Sequence, residues 1–93
     1  MSLEQLTESV REKVSGGGID ESVKFDLGDT GKIFIQGSNV SNEDADADCT
    51  ITMSAEDMSD MLSGDLNPTA AFMGGKMKVD GDMSVAMKLG SIV

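Results

Sequence analysis

Ninety-three residues are expected to make one small domain, which at this size buries only about 60–65% of its unfolded surface and has modest stability. Seventeen acidic against seven basic residues give a formal net charge of −10, which argues against nucleic acid and against electrostatic docking on anionic membranes. The apolar fraction of 39% suffices for a core, but with three aromatics (Phe25, Phe34 and Phe72) that core must be mainly aliphatic and sulfur-bearing.

Ser2 and Gln5 form a capping-box pair. Leu3, Leu6, Val10 and Val14 follow at spacings of three and four, the apolar face of a first helix. Glu4, Glu8, Arg11 and Glu12 make its wet face, and Gly16-Gly17-Gly18 ends it. From Ser22 the period drops to two. Val23, Phe25 and Leu27 alternate with Lys24 and Asp26 in a half-buried strand. A turn at Gly28–Gly31 leads into a second strand at Lys32–Gln36, with Ile33 and Ile35 on one side and Phe34 on the other. A short extended piece is expected near Val40, then a strand with Cys49, Ile51 and Met53 on one face.

Ser54 is a good N-cap, with Asp57 three residues on, and Met58, Met61 and Leu62 form the inner face of a helix that Gly64 closes. Asn67-Pro68 opens a short helix through Phe72, because proline is tolerated at the first helical position. Met77 and Val79 mark a brief strand after Gly74-Gly75, and Asp82 caps a last helix reaching about Gly90. On that helix Met83, Ala86 and Met87 form one stripe and Val85 and Leu89 another, leaving only Ser84 and Lys88 for water. A helix so widely apolar needs cover on most sides or a non-aqueous cavity beside it. The expected architecture is α+β: about five strands, mainly antiparallel, with helices packed on one face and enclosing an apolar cavity.

Catalytic chemistry is poorly served. Without histidine the chain lacks the usual general base and the commonest neutral-pH metal ligand. Cys49 therefore reads as a core residue rather than a nucleophile. Asp44, Asp46 and Asp48 mimic the first ligands of a calcium loop. Cys49 stands where that loop needs glycine, however, and Ala55 where it needs glutamate. Gly74-Gly75-Lys76 fails as a phosphate loop, because Ala70 replaces the upstream glycine and Met77 the hydroxyl residue. No enzyme activity, cofactor or metal is expected. One cysteine and no leader-like or membrane-spanning segment make a cytoplasmic location the default, without stable membrane insertion.

The stretch "FMGGKMKVDGDMSVAMKL" (Phe72–Leu89) holds much of the methionine, and seven of the eight methionines fall between Met53 and Met87. Flexible thioethers suit a surface that adapts to different apolar shapes. With its surroundings, "GDLNPTAAFMGGKMKVDGDMSVAMKL" and the upstream "DADCTITMSAEDM", this stretch resembles the sterol carrier protein type-2 (SCP2) domain family. The shared features are Asn67-Pro68, Ala71-Phe72, Gly75-Lys76-Met77-Lys78, Gly81-Asp82 and Met87-Lys88-Leu89 after a helix ending in Gly64.

That resemblance implies a five-stranded sheet with helices around an apolar tunnel for a fatty acid, fatty acyl-CoA or similar ligand. Candidate ligand-binding residues are Phe34, Met53, Leu62, Leu66, Phe72, Met73, Met83, Ala86 and Met87. Lys76, Lys78 and Lys88 are candidates to meet an acidic headgroup. Many relatives continue into a further helix that closes the tunnel. Here either the tunnel is open at that end, or a second copy or a partner enzyme covers Leu89, Ile92 and Val93. Two other roles stand beside the carrier: a ligand-free scaffold using the last helix as an interface, and a domain presenting lipid to a separate enzyme.

Overall fold

Ser2 starts the first helix as its sequence requires. Its hydroxyl accepts from the Gln5 amide at 3.2 Å while the Gln5 side chain accepts from the Ser2 amide at 2.9 Å, closing the capping box. The computed structural model describes residues 2–17 and 19–90. Helix α1 (Leu3–Val14) leads into β1 (Ile19–Asp26), β2 (Lys32–Gly37), β3 (Asn39–Ser41) and β4 (Cys49–Met53). Then come α2 (Ala55–Ser63), α3 (Pro68–Met73), β5 (Met77–Gly81) and α4 (Met83–Gly90). Gly18, Ser91, Ile92 and Val93, which figured in the expected helix stop and carboxyl end, lie outside the described residues.

The five strands form one sheet in the order β3-β2-β1-β4-β5. Three neighbouring pairs are antiparallel and the central β1–β4 pair is parallel, so the sheet is mixed. Strand β1 begins at Ile19, earlier than the alternation from Ser22 predicts, because a register irregularity between Ile19 and Ser22 breaks the two-residue period. Leu27, expected as a strand residue, instead sits at the head of a 3-10 turn and donates its amide to the Gly31 carbonyl at 2.9 Å.

Pairing puts Val23, Phe25, Ile33, Ile35, Cys49, Ile51, Met53, Met77 and Val79 on one face of the sheet. All four helices lie on this side. Leu6, Val10 and Val14 of α1, Met58, Met61 and Leu62 of α2, and Val85 and Leu89 of α4 join those strand residues in a single core. Helix α1 packs on α2 and β3, whereas α4 lies over β1, β4 and β5, and α3 flanks β5. The Arg11 guanidinium also donates to the Val40 carbonyl at 2.9 Å, fastening α1 to the edge strand.

The other face carries Ser22, Lys24, Asp26, Lys32 and Phe34. Residues 42–48 return the chain from β3 past β2 and β1 to β4. Asp44 accepts from Lys24 at 2.9 Å, and Asp48 accepts from the Ser22 amide at 3.0 Å. Two of the three aspartates of the calcium-like run are thus engaged within the protein. At the end of β5, opposite the first residue of β4, Gly81 is required by shape. A Cβ there would collide with the Asp48 carbonyl oxygen, and its φ of 115° disfavours any other residue.

Candidate ligand pocket

The pocket is laid out by strand register. Phe25 pairs with Ile51 and Ile51 with Val79, so three apolar side chains stand in one row across β1, β4 and β5. Together with Met77 they floor a cavity of about 260 Å³. Helix α4 supplies Met83, Ala86, Met87 and Leu89, helix α3 supplies Pro68, Thr69 and Phe72, and Met61 enters from α2. Among these lining residues Thr69 alone carries a polar side chain. Such a lining offers water almost no partner, so an apolar guest displaces nothing well bound.

Local signals set the helices over this floor. Asn67 accepts through its side chain from the amides of Thr69 (2.8 Å) and Ala70 (3.3 Å), with Pro68 following, which starts α3. Asp82 does the same for α4. Its carboxylate accepts from the Ser84 hydroxyl at 2.7 Å and the Ser84 amide at 3.0 Å, and these bonds hold its pKa below the usual carboxylate value. The two stripes of α4 divide the work. Val85 and Leu89 are buried against the sheet, while Met83 and Met87 stand at the rim, 43% and 73% exposed. Phe72, 43% exposed, faces the same opening from α3.

Four of the nine candidate residues therefore meet on one wall: Phe72, Met83, Ala86 and Met87. The other five lie elsewhere. Met53 and Leu62 are buried in the core, and Leu66 packs half-buried against it. Strand alternation turns Phe34 to the opposite face, where Lys24 is its cross-strand partner. Met73, the last residue of α3, is 81% exposed and off the pocket wall. Leu89, expected at an open or partner-covered end, is already buried within the domain.

The floor residues Phe25, Ile51, Met77 and Val79 were legible as inward-facing from their alternation. What sequence lacked was the parallel β1–β4 pairing that brings them into one row. Of the lysines, Lys88 donates to Glu21 at 2.8 Å, and Lys78 pairs across from Thr52 on the far face of the sheet. Lys76 is exposed at the junction of α3 and β5. Cys49 is buried beside β1, and burial, helped by the Asp82 and Asp80 carboxylates, pushes its thiol pKa up and away from a reactive thiolate. No group of three or more metal-ligating side chains occurs among the described residues, and none of their helices is long and apolar enough to cross a membrane.

A family model described as the SCP-2 sterol transfer family matches residues 2–93. The chain belongs to that family. The bovine sterol carrier protein 2 is 48% identical over 54 residues, which cover 58% of this chain and 10% of that protein. The SCP2 match thus spans about one-tenth of the length of that curated relative. Among solved structures, sterol carrier protein 2 like 2 from Aedes aegypti superposes with a TM-score of 0.84 at 22% identity, covering 100% of this chain and 97% of that one. A solution structure of palmitated SCP2L2 from the same species gives 0.79 at 23% identity, covering 99% and 94%. At such identities these two establish the SCP2 fold: a five-stranded sheet with helices on one face.

Proposed function

We propose that this SCP2 domain is a non-enzymatic carrier holding the hydrocarbon chain of a fatty acid, fatty acyl-CoA or similar lipid between α3, α4 and the β1–β4–β5 floor. The observation that carries this reading is an almost wholly apolar cavity whose mouth leaves Phe72, Met83 and Met87 in water, in a chain of net charge −10. So large an exposed apolar set on a highly charged domain marks a binding surface. The palmitated Aedes relative supports the ligand class.

Burial supplies the affinity. Each methylene taken from water contributes about 0.8 kcal/mol, so ~14 of them give about 11 kcal/mol gross against an association cost of at least ~4 kcal/mol. Micromolar binding follows without an ionic clamp. The volume of about 260 Å³ lies just under the common range of about 300–1,000 Å³ for ligand sites. A long chain must therefore move thioether side chains aside or extend through the rim, which is what a methionine-rich tunnel allows. The headgroup then rests near the mouth. The segment Pro68–Gly90 carries three lysines against two aspartates, although Lys78 lies on the far face of the sheet and Lys88 is bonded to Glu21, so most of the excess acid lies elsewhere in the chain.

The test is thermal and mass-spectrometric. Palmitate or palmitoyl-CoA at 100 times its dissociation constant raises the unfolding free energy by about 2.7 kcal/mol. Native mass spectrometry of freshly purified protein shows bound lipid. An unmoved melting temperature together with a lipid-free spectrum refutes the reading. A second reading is favoured by Met73, which is exposed beside the mouth yet off its wall: the rim as an interface to a second copy or a partner enzyme. A dimer by sedimentation that persists at every concentration and takes no lipid would replace the first reading with this one.

A further inference from the structure

The methionines divide by exposure in a way that follows the pocket. Met53, Met58 and Met61 are buried, and Met77 on the floor is half-buried. Met83 and Met87 stand at the mouth, both on the lining, and Met73 stands outside it. We propose that Met83 and Met87 are oxidative modification sites, and that their conversion to sulfoxides by a peroxide closes the lipid pocket. The proposal rests on the carrier reading of that pocket.

The chemistry is complete with a peroxide as the oxidant. A thioether lone pair attacks one peroxide oxygen, the O–O bond breaks and an S–O bond forms. Proton transfer releases water or an alcohol, and sulfur loses two electrons to the peroxide. The reverse step needs a thiol-dependent sulfoxide reductase: two thiols become a disulfide and the oxygen leaves as water. Cys49 does not compete, because it is buried and its thiol is held protonated.

Position makes this more than surface damage. A sulfoxide is polar and strongly hydrogen-bonding, whereas the wall it would enter offers one hydroxyl, that of Thr69. An alkyl chain seated against Met83 or Met87 would strip water from the new oxygen without replacing it. The modified side chain instead keeps its place in water, and the wall loses its apolar rim. The four-residue spacing puts both sulfur atoms on one side of α4, so two oxidations act on one opening. Oxidation at Met73 changes none of this, which makes it an internal control.

The experiment titrates the purified full chain with hydrogen peroxide and maps oxygen uptake by peptide mass spectrometry. Palmitate affinity is read in parallel by displacement of a fluorescent fatty acid. Met73, Met83 and Met87 gain oxygen first while Met53, Met58 and Met61 stay reduced. Affinity falls about tenfold or more as Met83 and Met87 react. Because a seated chain covers the two thioethers on the lining, saturating palmitate slows oxidation at Met83 and Met87 and leaves Met73 unchanged. A Met83→Leu/Met87→Leu chain, compared with its own untreated affinity, keeps that affinity through the titration, and Met73→Leu does not protect. Sulfoxides at both sites with unchanged palmitate affinity overturn the proposal while leaving the carrier reading intact. Untreated protein that binds neither palmitate nor the probe removes both.

Discussion

The two ends of the sheet's covered face are built differently. Under α1 and α2 the space is filled: Leu6, Val10, Val14 and Met58 are fully buried against Ile33, Ile35 and Val23. Under α3 and α4 the same sheet carries an equally apolar row, Phe25, Ile51 and Val79, but the helices above it leave a cavity open at Phe72, Met83 and Met87. Both ends obey the same alternation in sequence. The helices differ most between α1 and α3: α1 has twelve residues, a closed capping box and a guanidinium tie to Val40, whereas α3 has six, with α2 (nine) and α4 (eight) nearly equal. A short helix covers less of the floor, and the space left over becomes a site.

If that division is right, a truncation at the filled end is felt in stability alone. Leu6→Ala removes a fully buried side chain and is expected to cost about 2–5 kcal/mol in urea unfolding. Palmitate affinity per folded molecule stays at the parent value. A parallel loss of affinity would show that the two ends form one unit. Met87→Ala is the opposite case. Since Met87 is 73% exposed, stability changes by less than about 0.5 kcal/mol, while palmitate dissociation by calorimetry rises several-fold through lost apolar contact. Equal affinity in this variant would mean that the rim takes no part in holding the chain.

Much of the local structure was legible because each signal acts over three or four residues. Ser2 with Gln5, Ser54 with Asp57, Asn67 with Pro68 and the left-handed Gly64 each mark a helix end where the structure has one. The division of roles on α4 was harder to read. Both its stripes are apolar, and only the sheet beneath decides that Val85 and Leu89 go inward while Met83 and Met87 face the mouth. Phe34 shows a related limit. Alternation placed it opposite Ile33 and Ile35, and it stood among the candidate site residues, yet it faces the side covered by the residue 42–48 return. The parallel β1–β4 pair could not be read at all, because partners so far apart in sequence leave no periodic trace.

The smallest expected effect separates the two ends by acid. Asp82 at the start of α4 is held below its ordinary pKa of 3.8 by the Ser84 hydroxyl and amide; Asp44, on the far face, is held below it chiefly by the hydrogen bond from Lys24. In both cases the folded chain gives up its proton more readily than the unfolded one. Their contribution is therefore fully present above about pH 3.8 and is lost as pH falls through the lower folded value. Asn is also a good cap, so Asp82→Asn keeps α4 while removing its titration. Amide hydrogen exchange in acid should show α4 of the parent opening ahead of α1, and Asp82→Asn should remove that lead, whereas Asp44→Asn should leave it. Exchange that rises in α1 and α4 together, in all three chains, would mean that the hollow end has no independent weakness and that filled and open halves unfold as one.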